Sequence, residues 1–156
     1  MRRKCLPAAA ATIAALVCAA TSTASGLTPP EQALLDGLNG ARRAEGLAPL
    51  RVDWRLERAA RFHSEEMLRQ EYFGHGAFAW RLSHFGAVGP AFAENLAWGV
   101  GSGAAPETVV QMWLKSPGHR QNLLRPGFRR VGLASMRGDF LGYGSARVVT
   151  VDFAGT

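Results

Sequence analysis

The chain has 156 residues, 47% of them apolar, and a formal charge of +6, which suits one globular domain with its own core. Its basic residues are spread along the sequence in short pairs such as Arg42-Arg43 and Arg129-Arg130, which excludes the basic stripe of a nucleic-acid binder and reads as solvated surface arginine. The two cysteines, Cys5 and Cys18, both lie near the start, which excludes a disulfide-stapled scaffold.

Residues 1–25 read as a signal peptide. Arg2, Arg3 and Lys4 are followed by an Ala-rich apolar run from Leu6 to Ala20 and a small-residue patch from Thr21 to Gly26. The run falls short of the ~20 strongly apolar residues that a membrane span needs. Cleavage near Ser25 or Gly26 is expected, with no stable membrane insertion afterwards and a secreted or periplasmic destination. Val17 stands where a lipid-modified Cys18 would need a small residue before it. Cleavage removes both cysteines and, with Arg2, Arg3 and Lys4, lowers the formal charge from +6 to +3. A single domain from 28 to 156 remains, expected to be a monomer held by its core.

Thr28-Pro29-Pro30-Glu31 opens a first helix: Thr28 and Glu31 form a capping box and Pro29 suits the first helical position. Leu34, Leu35, Leu38 and Ala41 recur at helical spacing, and Gly46 ends the helix. Ala48 to Val52 is an extended link. Asp53 caps a second helix with Leu56, Ala59, Ala60, His63 and Met67 on one face. Residues 77–92 have no strong period and read as a loop with one short helix. Ala93 to Val100 reads as a strand or sheet edge. Pro106 starts a third helix, with Val109, Val110 and Trp113 inward, and Pro117 stops it. Val131 to Met136 is a strand, Arg137-Gly138-Asp139 a turn, and Arg147 to Phe153 the last strand. Helices early and between, strands late, make an α+β domain with helices packed on a small sheet.

Four stretches together resemble the CAP superfamily (cysteine-rich secretory proteins, antigen 5 and pathogenesis-related proteins), in its cysteine-free bacterial form. The first runs from Leu38 to Leu50 and continues through Asp53, Leu56, Ala59 and His63. The second is Phe73-Gly74-His75. The third runs from Ala93 to Gly99. The fourth runs from Trp113 to Leu124, and Phe128, Val131-Gly132 and Val151 to Gly155 extend the match. The resemblance implies a three-layer α-β-α sandwich around a small twisted antiparallel sheet. It also implies a cleft lined by two histidines and two acids. By position these are His75, Glu94 and His119, with Ser116 where the second acid would stand. Ala93 replaces a usual Gly.

Two imidazoles and a carboxylate are ligand chemistry for Zn²⁺ or another divalent cation, so the resemblance implies a metal set of His75, Glu94 and His119. Spacing alone would not suggest it, because no pair of histidines stands at helical spacing. Each residue also has a plain structural reading. His75 sits between glycines, as an exposed loop histidine does. Glu94, in an apolar run, must be paired, and could brace backbone N–H groups. His119 could cap a short helix. His63 belongs to the core, and His84 to the surface. Trp54, Trp80, Trp98 and Trp113 read as packing residues, Trp80 being the one to test for ligand stacking. No activated nucleophile stands out, and no reaction is assigned. The expected function is a binding module for a small apolar or lipid-like ligand, a divalent metal or a protein partner. The alternative is a metal-dependent hydrolase acting on peptide or cell-envelope material.

Overall fold

The structure is a computed structural model and describes residues 26–156. The signal-peptide reading of 1–25 lies outside the described residues. In chain order the elements are α1 (Pro29–Ala44), β1 (Arg51–Val52), α2 (Trp54–Gln70), α3 (Phe78–His84), β2 (Phe92–Gly99), α4 (Pro106–Lys115), α5 (Pro117–Leu123), β3 (Phe128–Phe140) and β4 (Tyr143–Gly155). A 3₁₀ turn at Gly101–Ala104 leads into α4.

The four strands form one sheet in the order β1-β3-β4-β2. β3 pairs antiparallel with β4, and β4 with β2; the two-residue β1 adds a parallel edge to β3. Along β4, Val149, Val151 and Phe153 face α1, α4 and α5, where they meet Leu34, Leu38, Val110, Trp113 and Leu123. The alternate residues face α2 and α3: Val148 meets Met67, and Ala154 meets Leu56 and Leu82. Both faces of the sheet are therefore covered, which explains why β4 is buried without interruption from Val148 to Gly155. This is the expected α-β-α sandwich. Gly132 brings the layers closest: a Cβ there would lie 2.0 Å from the backbone carbon of Leu56, so the α2 backbone rests directly on β3.

Capping residues tie these layers together. Glu31 Oε2 accepts from both the backbone N–H and the hydroxyl of Thr28 at 2.8 Å, which starts α1. Its other oxygen takes the Ser135 N–H at 3.2 Å, so the cap also braces β3. Asp53 Oδ1 accepts from Arg55 N at 2.9 Å and starts α2.

Three readings need correction. The hairpin does not turn at Arg137-Gly138-Asp139. β3 runs on to Phe140, which is fully buried against Met67 and Val148, and the chain turns at Leu141-Gly142 with φ of 50° and 80°. Positive φ at both loop residues is the type I′ geometry of a two-residue hairpin. Arginine is not uniformly a surface residue either. Arg42 is fully buried and donates to the carbonyls of Ala48, Leu123, Arg125 and Phe128, closing the loops after α1 and α5. Arg81 is buried too. Finally, Trp54 and Trp80 do not pack inside: each is 55% exposed. Trp113 fulfils the packing role, buried with Nε1–H donating to Leu96 O at 3.0 Å.

Candidate functional site

The cleft forms where the edge strand β2 stands between the two helical layers. Side chains alternate along a strand, so Glu94 points toward α2 and α3, and Asn95 toward α5. Asn95 Nδ2 donates to His119 O at 3.0 Å, and Asn122 Nδ2 donates to Asn95 Oδ1 at 2.9 Å. These amide bonds dock the first turn of α5 against β2 and bring His119 level with Glu94.

Glu94 is the hub. Its side chain is 1% exposed, and both oxygens are engaged. Oε1 accepts from His75 Nδ1 at 2.7 Å. Oε2 bridges to the buried guanidinium of Arg81. Arg81 also donates to His75 O at 3.2 Å, pinning the loop that carries the histidine. An ionised carboxylate only accepts, so Nδ1 of His75 donates, and in the neutral ring Nε2 is the nitrogen with the lone pair. The His75 side chain is 62% exposed, and its Nε2 has no hydrogen-bond partner among the described residues.

On the opposite wall, His119 Nδ1 lies 2.9 Å from Ser116 Oγ. Burial, and then the nearby His75 charge, hold the His119 pKa below its ordinary value, so the neutral imidazole is favoured. No carboxylate orients His119 among the described residues, so the Ser116–His119 pair lacks the third member of a nucleophilic triad. His75, Glu94, Ser116 and His119 thus line one cleft of about 310 Å³, with Gln121 and Asn122 on the rim.

Glu94 stands behind His75 and is not a free donor, as a three-ligand set would require. Among the described residues no three His, Cys, Asp or Glu side chains stand as a metal-binding group. The donors that remain are two imidazoles, one held by a carboxylate in the manner of metal-ligating histidines.

Behind the hub lie groups that the sequence concealed. Arg81 was legible only as a surface arginine. Asp152 pairs in register with Glu94 across β2 and β4 and is fully buried, with no hydrogen-bond partner for either oxygen among the described residues. Burial, then the Glu94 charge, push its pKa well up, toward the protonated form. His63 is the core histidine expected: Nε2 lies 2.8 Å from Gly74 O and Nδ1 3.2 Å from Glu66 Oε2. Burial holds its pKa down against the opposing pull of Glu94, with Arg81 adding to the depression. Tyr72 donates to Glu66 at 2.8 Å and, through burial and that bond, is pushed up to about 12. His84 is exposed and stacks on Trp80, ring centroids 4.8 Å apart.

Comparison with known proteins agrees with this architecture. The sequence profile of the CAP (cysteine-rich secretory protein) family matches residues 35–153. The uncharacterized protein YkwD of Bacillus subtilis (strain 168) is 33% identical over 118 residues, which are 72% of this chain and 45% of that protein. An extracellular protein with an SCP domain from Bacillus anthracis superposes with a TM-score of 0.65 at 26% identity, over 85% of this chain and 45% of its own. An outer surface protein of Borrelia burgdorferi has the same fold, with a TM-score of 0.68 at 20% identity over 80% of this chain and 92% of its own. The chain thus spans less than half of either Bacillus protein. With the layered fold, the edge-strand cleft and a family match over most of its length, the chain belongs to the CAP, or cysteine-rich secretory protein, family.

Proposed function

We propose that this is an extracytoplasmic binding module whose cleft takes a divalent transition metal, Zn²⁺ foremost, on Nε2 of His75 and of His119. The observation that carries the reading is the bonding of His75: Glu94, itself anchored by Arg81, accepts from Nδ1–H, and Nε2 has no hydrogen-bond partner among the described residues. His119 supplies a second neutral imidazole, the ligating form. Glu94 acts in the outer shell, fixing tautomer and ring orientation. Ser116, where a second acid would stand, leaves the cleft one negative charge poorer and the metal site weaker. A bound ion would present open coordination positions to oxygen donors of a ligand. The extracytoplasmic placement draws support from the basic–apolar–small order of residues 1–25 and from the extracellular and outer-surface proteins with this fold.

Thermal unfolding tests the reading. A ligand that binds only the folded state adds about 2.7 kcal/mol at a hundredfold excess over its Kd. Zn²⁺ should raise Tm at pH 7 and much less at pH 5, because protonated imidazole does not ligate and the ordinary histidine pKa is about 6.5. His63→Ala and His84→Ala should keep the Zn²⁺-dependent rise. An equal rise at both pH values would place the metal on carboxylates and sink the proposal.

A groove of about 430 Å³ between α1 and α4 favours a second ligand class. Gly37, Ala41, Val110 and Leu114 line it, and its wall suits a small apolar ligand. Displacement of a fluorescent apolar probe from the protein, lost when Ala41→Glu charges the groove, would support that class. Displacement unaffected by Ala41→Glu would exclude this groove.

A further inference from the structure

Away from the imidazole cleft, arginines from distant stretches of chain come together. The parallel pairing of β1 with β3 sets Arg51 opposite Arg130. Arg129 adjoins Arg130, and Arg55 follows from the first turn of α2. With Trp54 and Asp53 they wall a cavity of about 620 Å³, inside the ~300–1,000 Å³ range of small-ligand pockets. Spread in the sequence, these charges are gathered by sheet pairing alone.

The wall is unevenly neutralised. Asp53 is its only acidic side chain, and both oxygens are engaged: Oδ1 by Arg55 N at 2.9 Å and Oδ2 by Arg130 at 2.8 Å. Arg130 also donates to the carbonyls of Val88 and Gly155, which makes it a structural brace. Arg51, Arg55 and Arg129 form no ion pair among the described residues; Arg129 donates through Nη1 to the carbonyls of Pro126 at 2.6 Å and Phe128 at 3.4 Å, which leaves its Nη2 and Nε for a ligand. Guanidinium is the side chain best matched to phosphate and carboxylate, through two parallel N–H bonds. Trp54 stands at the rim, 55% exposed. The guanidiniums of Arg55 and Arg58 lie 4.8 and 5.8 Å from its ring centroid, so cation–π contacts hold a large apolar plate at the mouth of a cationic cavity.

We propose that this cavity binds an anionic sugar, its phosphate or carboxylate on Arg51 and Arg129 and its ring face against Trp54. A sugar matches the wall better than a nucleobase does. The wall is rich in donors: with Asp53 fully engaged, the Thr156 hydroxyl is its remaining hydroxyl or carboxylate side-chain acceptor. Sugar hydroxyls accept from guanidinium and turn their own protons to water. A base edge has fixed donors that cannot rotate away, and the wall sets only the Thr156 hydroxyl against them.

Calorimetric titration of the purified protein at low salt tests this with four probes: glucose 1-phosphate, inorganic phosphate, glucose and AMP. Glucose 1-phosphate should bind about tenfold more tightly than inorganic phosphate, the gain of one good ring contact. Trp54→Ala should abolish that advantage and leave phosphate binding. Arg51→Ser and Arg129→Ser should weaken both phosphates and flatten the salt dependence. His75→Ala should change nothing, which separates this cavity from the metal cleft. The proposal is overturned if glucose 1-phosphate binds no better than inorganic phosphate, if AMP binds more tightly than glucose 1-phosphate, or if Trp54→Ala and Arg51→Ser leave its affinity intact.

Discussion

Glu94 and Arg81 are each 1% exposed and pair inside the layer between α2, α3 and β2. Breaking such a pair from one side leaves a buried charge alone, which costs about 3–5 kcal/mol. Arg81→Ala should therefore lower stability by about that amount in urea unfolding, far more than an exposed arginine would. A near-neutral result would mean that Glu94 finds other partners. His63 carries a pH prediction. Its folded pKa lies below the unfolded value, so its contribution is present above the unfolded pKa and is lost as pH falls through the folded one. Tm should drop between pH 7 and pH 5, and drop less in His63→Gln. Parallel profiles would show that His63 is not the group being protonated. The four cleft residues were legible because each sits inside a recognisable stretch. Arg81 was not, because it lies in the aperiodic 77–92 segment and an arginine reads as solvated until its carboxylate is placed beside it. Asp152 was hidden in an apolar strand, where an acid gives no sign of whether it faces a partner.

At the scale of elements, the closest contact is α2 on β3. Gly132→Ala would put a methyl 2.0 Å from the Leu56 backbone carbon, and no flexible side chain is there to yield. Overpacking costs about 1–3 kcal/mol when side chains can shift. Against backbone the loss should reach or exceed the top of that range, read as a fall in the urea midpoint at unchanged m. An unaffected midpoint would mean that α2 slides freely on the sheet. Trp113→Ala should cost about 3–5 kcal/mol, since it empties the α4 side of the core and orphans Leu96 O. Helix starts were readable from chemistry local to them: Thr28 with Glu31, Asp53 with Arg55. Strand lengths were not. β3 outruns the turn signal at Arg137-Gly138-Asp139 because Phe140 has a place in the core beside Met67, Ala146 and Val148, and that place exists only once α2 and β4 are assembled.

Across the whole molecule, both candidate sites fall on borders between layers. The imidazole cleft straddles β2, the sheet edge, with His75 contributed from the α2–α3 side and His119 from the α5 side. The arginine cavity straddles β1, the opposite edge. Neither assembly is visible in spacing, because 44 residues separate His75 from His119 and 78 separate Arg51 from Arg129. No helix among the described residues is long and apolar enough to cross a membrane. On the proposed reading two imidazoles hold the metal, and Glu94 stands behind one of them, His75. Titration calorimetry of Zn²⁺ at pH 7 tests it most directly, on wild type, His75→Ala, His119→Ala and Glu94→Gln, with circular dichroism to confirm folding of each. The expected result is one site per chain in wild type, no binding heat in either histidine variant, and binding weakened about 10–100-fold but retained in Glu94→Gln, the usual effect of losing an outer-shell partner. Zn²⁺ binding that survives unchanged in both His75→Ala and His119→Ala, or folded wild type that binds none, would contradict it.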